Sequence, residues 1–333
     1  MRPFDRATAS VREDELLRAA ARARGGTAGA AEVDALLPPF PLKVQLQTTT
    51  RCNAACQMCP HPLVTRAPGF EHGEMSRALY DALLAELANH PIERLSLFLM
   101  NEPLLDRRMV EWIAAARRAL PATTLNLFSN GALLRLELAE QLAEAGLDEL
   151  CVSVHGFEAP RYEAVMEGLS FARIDAQLRG LFGHARDGRI GRLRLKVVMG
   201  DLPELVATLP AADPLYRDHV LLKAFSNERA VAGVAPGLAS SPLADAAAAR
   251  AAPLCQRPFV KFYVLWDGTC VLCNVDWKRA AVVGRIDPAA GIGIADVWRS
   301  DRYREIRARH LRHEFEPGFL CRGCDYAAVA EGG

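Results

Sequence analysis

From residue 41 onward the chain alternates short apolar runs with longer stretches in which apolar residues recur every three or four positions. The short runs read as buried strands and the longer stretches as amphipathic helices. Strands are predicted over 43–47, 92–98, 124–128, 149–154, 193–199 and 220–225, with helices over 76–89, 105–120, 133–145, 161–166 together with 174–185, and 203–209. Such alternation builds a parallel sheet covered by helices, so the expected fold class is α/β, a partial (β/α)6 TIM-like barrel. Right-handed crossovers would place the C-terminal ends of the strands at one mouth, where the βα loops assemble a site. A helix is predicted over 11–24, ahead of a Gly/Ala-rich stretch and Pro38-Pro39. Residues 230–252 are small and weakly patterned, which suits a linker. Beyond it, two β-rich runs flank Asp267-Gly268, a hairpin signal, and a helical pattern covers 294–312. The expected organisation is an N-terminal helical extension (1–40), the barrel (41–230), a linker (231–253) and a small C-terminal β-hairpin/helix extension (254–333).

Composition narrows the function classes. Half of the 333 residues are hydrophobic, enough for a large core. Formal net charge is zero, which supplies no global field for nucleic acid or an acidic membrane surface. No run of eighteen apolar residues occurs, and the N-terminal stretch lacks the apolar centre of a signal peptide. The expectation is a cytoplasmic protein with neither nucleic acid nor membrane as partner. Nine cysteines in a reducing compartment point away from disulfides. They cluster at 52/56/59, at 255/270/273 and at 321/324, with Cys151 alone, and clustering of this kind reads as metal ligation.

The first cluster, Cys52, Cys56 and Cys59, has the spacing C-x3-C-x2-C and follows the first predicted strand. Thiolates select iron–sulfur clusters or zinc, and three ligands on a [4Fe–4S] cube leave one iron open. The spacing resembles the radical S-adenosylmethionine (radical SAM) superfamily. That resemblance implies a SAM-binding [4Fe–4S] cluster and reductive cleavage of SAM to a 5′-deoxyadenosyl radical, with a low-potential donor such as flavodoxin or ferredoxin.

Further pieces of the resemblance fall at successive strand ends. Met100-Asn101-Glu102-Pro103 is similar to a G-G-E-P segment that binds the SAM amino group, with Asn101 and Met100 in place of glycines. Both substitutions remove the freedom of glycine to adopt positive φ. Phe128-Ser129-Asn130-Gly131 resembles T-N-G, and Cys151-Val152-Ser153-Val154-His155-Gly156 resembles S-x-D/H-G. The resemblance implies cofactor contacts from Asn101, Glu102, Ser129, Asn130 and Ser153, with Met58 against adenine; Lys196, in the fifth strand, is read either as a partner of the SAM carboxylate or as a snorkelling lysine. Cys151 shares strand parity with Ser153, so it is a candidate hydrogen-atom donor or a small apolar filler. His155 is read as projecting the other way, in a structural role. Asn227, Glu228 and Arg229, after the sixth strand, are candidate substrate contacts.

In the C-terminal region the order cysteine, D-G hairpin, cysteine, helix, C-x2-C resembles the SPASM/twitch extension, which holds an auxiliary [4Fe–4S] cluster. The resemblance implies Cys255, Cys273, Cys321 and Cys324 as its ligands. Cys270 and Cys273 have opposite parity, so only one should face the cluster. A rival remains in Cys270-x2-Cys273 with Cys321-x2-Cys324, a four-cysteine zinc pattern.

Functionally, the expectation is an oxidoreductase or epimerase acting on a carbohydrate, aminocyclitol or nucleoside-like metabolite. The segment before the barrel is too short for the peptide-recognition module of many radical SAM peptide-modifying enzymes, which favours a small substrate. The alternatives are a peptide maturase forming thioether or carbon crosslinks, and a zinc-binding interaction protein without catalysis.

Overall fold

The computed structural model describes residues 37–200, 202–210, 213, 220–223, 255–312, 314–322 and 324, with isolated positions before residue 37. Of the helix expected over 11–24 only Arg18 is described, and the linker at 231–253 and Asn227, Glu228 and Arg229 lie outside the described residues.

Six parallel strands run in sequence order: β1 (Lys43–Leu46), β2 (Arg94–Ser96), β3 (Thr124–Ser129), β4 (Glu149–Ser153), β5 (Arg194–Gly200) and β6 (Val220–Lys223). On the far side of β1 lies β7 (Lys261–Val264), also parallel and in register from Lys43↔Lys261 to Leu46↔Val264. The antiparallel strands β8 (Thr269–Val271) and β9 (Val282–Arg285) follow it. The order β6-β5-β4-β3-β2-β1-β7-β8-β9 is therefore one open nine-stranded sheet, and the C-terminal hairpin extends the barrel wall. The architecture is a partial TIM-like barrel with a C-terminal extension.

Period-two alternation decides which strand residues meet the helices. Val44, Leu95, Leu125, Leu127, Leu150, Val152, Val197 and Met199 belong to the main hydrophobic core. That core also takes Tyr80, Leu83, Leu84 and Leu87 of α2 (Arg77–Leu87), Trp112, Ile113 and Ala116 of α3 (Met109–Ala119), Ala139 and Leu142 of α4 (Leu136–Glu144), and Leu178 and Leu181 of α6 (Phe171–Arg186). The short helices α1 (His61–Val64) and α5 (Ala159–Val165) flank the mouth, and α7 (Pro203–Val206) follows β5. Side chains of opposite parity, including Gln45, Phe98, Phe128 and Ser153, are left for the barrel interior.

Two helices begin or break where a polar side chain captures backbone N–H groups. The helix expected over 105–120 is instead a 3-10 turn, Pro103–Leu105, followed by α3. Asp106 forces the break, because its buried carboxylate accepts from the backbone N–H of Arg108 and from the indole of Trp112. The pattern over 294–312 likewise splits into α9 (Ile294–Trp298) and α10 (Asp301–Arg312), where Ser300 Oγ accepts from Tyr303 N.

The Asp267-Gly268 turn forms between β7 and β8. Gly268 has φ +85°, and a Cβ there would lie 2.7 Å from the Ile286 carbonyl oxygen, so both conformation and space require glycine. Asp267 Oδ1 accepts from Thr269 N at 3.0 Å.

The floor of the barrel is sealed electrostatically. Glu149, at the start of β4, accepts from Arg94 Nη1 at 2.6 Å, Arg194 Nη2 at 2.9 Å and Lys196 Nζ at 3.2 Å. Burial pushes its carboxyl upward, but the three cations prevail and hold it at about 2. Among the described residues no helix is long and apolar enough to cross a membrane.

Candidate active site in the barrel mouth

A cavity of ≈ 330 Å³ opens at the C-terminal ends of the strands. Cys52, Cys56 and Cys59 line one side, on the irregular loop after β1. A loop that lacks its own ladder must find backbone partners elsewhere. Ala55 N and Gln57 N donate to the carbonyls of Glu167 and Val165 at 2.8 and 2.9 Å, and Glu102 N donates to Arg51 O at 2.9 Å. His61 Nε2 meets Thr50 O at 2.9 Å behind the loop. Burial pushes the Cys52 thiol up, whereas the backbone N–H groups of Ala54 and Asn53 and the amide of Asn130 favour its thiolate. Three thiols on one pinned loop, with donors aimed at sulfur, fit an iron–sulfur ligand set.

Opposite the loop, Glu102 is 2 % exposed and organises its surroundings. Oε1 accepts from Ser129 Oγ at 2.8 Å and Leu104 N at 3.0 Å, and Oε2 accepts from Asn130 N at 2.7 Å. Asn130 Nδ2 in turn donates to Asn53 Oδ1 at 2.8 Å, tying β3 to the cysteine loop. Burial raises the Glu102 carboxyl, against the pull of these donors. Glu102, Ser129 and Asn130 therefore hold one another as well as lining the cavity.

Asn101 differs. Its Oδ1 accepts from Leu99 N at 2.8 Å, but Nδ2 is buried without a hydrogen-bond partner and sits on the cavity wall. A buried orphan donor is costly, and a ligand carboxylate or carbonyl would satisfy it. Beside it, Met100 adopts φ +55°, the conformation glycine would take without strain. Packing holds it there: Met100 lies against Leu99, Tyr263 and Leu265 on one side and Cys273, Val275 and Trp277 on the other.

Met58 and Ser153 also face the cavity. Lys196 does not line it: its ammonium is drawn down to Glu149 at the floor, and this replaces the expected role near a SAM carboxylate. Cys151 is buried on the inner face below Ser153 and is not among the lining residues. His155 requires a correction. Positions 153 and 155 share parity, so its ring lines the cavity with Ser153, and Nδ1 accepts from Gly200 N at 3.1 Å. That bond places the proton on Nε2, and burial lowers the ring to about 4, so it is neutral near pH 7. Asn274 and Trp277, from the extension, close the cavity on the β7 side. They had no motif to mark them; only the sheet order brings them across.

In the extension, Cys273 precedes Asn274 in the chain, and its sulfur is one of three that act on Cys321. The Cys321 thiol is raised by burial and then by the neighbouring sulfurs of Cys255, Cys273 and Cys324. Sulfurs close enough to oppose ionisation at Cys321 suit a four-cysteine cluster, whose metals would offset the thiolate charge. Cys270 is elsewhere: fully buried in the main core, its Sγ donates to Gly268 O at 3.5 Å. The paired zinc pattern of Cys270, Cys273, Cys321 and Cys324 is therefore not the set that the fold assembles.

The Radical SAM superfamily model matches residues 46–180, and the SPASM model, an iron-sulfur cluster-binding domain, matches 255–325. A GTP 3′,8-cyclase from Mycobacterium marinum is 33 % identical over 144 residues, 39 % of this chain and 38 % of the relative. The chain thus aligns with about two fifths of that curated relative. Among solved structures, BtrN in complex with AdoMet and 2-DOIA superposes with a TM-score of 0.56 at 18 % identity, covering 82 % of this chain and 88 % of BtrN. Streptococcus suis SuiB bound to precursor peptide SuiA gives 0.62 at 15 % identity, covering 91 % and 74 %. Both likenesses concern the fold. The three-cysteine loop at the barrel mouth and the cysteines of the extension are thus matched, in order along the chain, by two cluster-binding families: the protein belongs to the radical SAM superfamily and carries a C-terminal SPASM-type domain, with SAM, a radical SAM [4Fe–4S] cluster and an auxiliary iron–sulfur cluster as its cofactors.

Proposed function

We propose that this enzyme dehydrogenates a small metabolite of the carbohydrate, aminocyclitol or nucleoside-like class. In this reading the barrel, 41–230, holds Cys52, Cys56 and Cys59 as ligands of the SAM cluster. The extension from 254 holds Cys255, Cys273, Cys321 and Cys324 as ligands of the auxiliary one. When bound, SAM and the reduced cluster supply a 5′-deoxyadenosyl radical able to take hydrogen from carbon.

The observation that carries the reading is the lining of the cavity: Cys52, Cys56 and Cys59 are on its wall, and so is Asn274, whose chain neighbour Cys273 belongs to the second cysteine set. A carbon radical formed there has an electron acceptor behind one residue. The wall chemistry supports the substrate class. Among the described lining residues there is no lysine or arginine, the Glu102 carboxylate is engaged, and His155 is neutral. Such a wall suits neutral hydroxyl or amine groups better than a triphosphate, which calls for cations. Asn101 Nδ2 would donate to the SAM carboxylate, Met58 would pack against adenine, and the His155 Nε2–H is a donor for a substrate oxygen. Cys151 lies beneath the cavity wall, so dehydrogenation is favoured over an epimerisation that needs a thiol donor. A reducing cytosolic setting and a flavodoxin- or ferredoxin-type electron carrier complete the reading.

The test is anaerobic turnover with carbon-deuterated candidates. Deuterium in 5′-deoxyadenosine and a product that has lost that deuterium and one further hydrogen support dehydrogenation. A product in which the deuterium is replaced by a hydrogen of solvent origin, with no further hydrogen lost, would sink it in favour of epimerisation. A peptide substrate is the second reading, favoured by the superposition on SuiB with its precursor peptide; deuterium transfer from a peptide and from no small metabolite would establish it.

A further inference from the structure

Arg257 opens α8 (Arg257–Val260) and is only 7 % exposed. A guanidinium stays charged in proteins, and a buried charge must be met by a partner. Its Nη1 donates to Cys273 Sγ at 3.1 Å, a close approach for a donor to sulfur. The backbone that carries Arg257 is held as well. The next residue, Pro258, offers its carbonyl to Arg307 Nε at 2.8 Å. Arg307 itself is 2 % exposed, stacked 4.0 Å from the Trp298 ring and 3.8 Å from the Tyr303 ring, and its Nη1 donates to Trp298 O at 2.7 Å. The two buried arginines thus have different jobs. Arg307 bonds carbonyls and fixes α8; Arg257 bonds a sulfur.

We propose that Arg257 sets the reduction potential of the auxiliary cluster, raising it so that the cluster acts as an electron acceptor. Hydrogen bonds to ligand sulfurs and local charge are the levers by which a protein tunes an iron–sulfur potential. A fixed cation donating to Cys273 stabilises the extra negative charge of the reduced state more than the oxidised one. The proposal rests on Cys273 being a ligand of that cluster, and it deepens the dehydrogenase reading by giving the direction of electron flow. In the balanced step, one hydrogen atom leaves a C–OH carbon and forms a C–H bond in 5′-deoxyadenosine. The substrate radical then loses one electron and its hydroxyl proton, and the C–O bond becomes a carbonyl. The proton passes to water, and the auxiliary cluster, held by Cys255, Cys273, Cys321 and Cys324, would take up the one electron and yield it to an oxidised electron carrier of higher potential.

The experiment uses the full-length chain, anaerobically loaded with iron and sulfide, in a background of Cys52→Ala, Cys56→Ala and Cys59→Ala so that only the auxiliary cluster reports. Redox titration followed by electron paramagnetic resonance compares Arg257 with Arg257→Lys and Arg257→Gln. The expected order of midpoint potentials is Arg highest, Lys lower, Gln lowest, at equal iron content. An unchanged or higher midpoint in Arg257→Gln overturns the proposal. Should that variant fail to retain iron, Arg257→Lys decides by the same criterion, and loss of iron from both overturns it in favour of a purely structural cation. Because no substrate is present, a failure of the dehydrogenase reading leaves this result untouched.

Discussion

The two cysteine sites are built in opposite ways. Cys52, Cys56 and Cys59 lie within one loop that is pinned through backbone bonds to Glu167, Val165 and Glu102, and at Cys52 neutral N–H donors oppose the burial that raises the thiol. Cys255, Cys273, Cys321 and Cys324 come from the start of α8, the segment after β8 and the chain beyond α10, and the donor met by Cys273 is a buried cation. On the proposed assignment the local loop would leave one corner of its cluster open, whereas the second set, gathered from separate segments, would supply all four ligands of its own. A site made from one loop can afford an open face because its geometry does not depend on distant elements meeting.

The largest effect that would break this contrast comes from replacing Cys52, Cys56 and Cys59 together with alanine. Of about eight irons expected per loaded chain, about four should be lost, and 5′-deoxyadenosine should not form, while the auxiliary cluster remains. Iron analysis with product chromatography checks this; persistent SAM cleavage would overturn the division of labour.

Next in size, Cys273→Ala should remove about four irons and abolish dehydrogenation while leaving SAM cleavage uncoupled from it. Cys270→Ala, three residues earlier, should keep full iron content and cost about 1 kcal/mol through lost packing in the core. Equal iron loss in both variants would mean that the strand presents both sulfurs.

Glu102→Gln sharpens the comparison from the side of the mouth. An amide there faces the Asn130 N–H or the Ser129 hydroxyl with a donor of its own, leaving a buried group unpaired at about 1–3 kcal/mol. Thermal unfolding should drop by several degrees and SAM affinity should weaken, read by equilibrium dialysis, with the auxiliary potential unmoved.

The smallest effect concerns neither pocket but the floor beneath them. Glu149 in the fold sits at about 2, below its ordinary 4.5, so the unfolded chain takes up the proton first. Its contribution is therefore complete above about pH 4.5 and fades as pH falls toward 2. The cationic partners are each more than a third exposed, at 35 %, 54 % and 38 %, which limits the contribution to about 1–2 kcal/mol. Urea unfolding of wild type and Glu149→Gln should differ by that amount at pH 7, with the gap narrowing at pH 3.

Much of the site was legible in the chain because its signals are local. The C-x3-C-x2-C spacing, the Glu102-Pro103 and Asn130-Gly131 pairs at strand ends and the Asp267-Gly268 turn each depend on a few consecutive residues. Strand parity was equally available for His155, which shares a face with Ser153 and lines the cavity. Lys196 shows the limit of that rule: parity put it on the inner face, but a flexible four-carbon stem let the ammonium descend to Glu149.

The amino-acid sequence by itself determined the alternation of strands and helices, the cysteine clusters and the turn that begins the extension, because hydrophobic period, ligand spacing and glycine conformation are all short-range. Tertiary structure alone decided that β7 pairs with β1, which carries Asn274 and Trp277 to the mouth and Cys273 away from Cys270 toward Cys255, Cys321 and Cys324. It also decided that the guanidinium of Arg257 meets a sulfur. Register between strands more than two hundred residues apart is fixed by burial summed over the whole sheet, and no local run of residues records it.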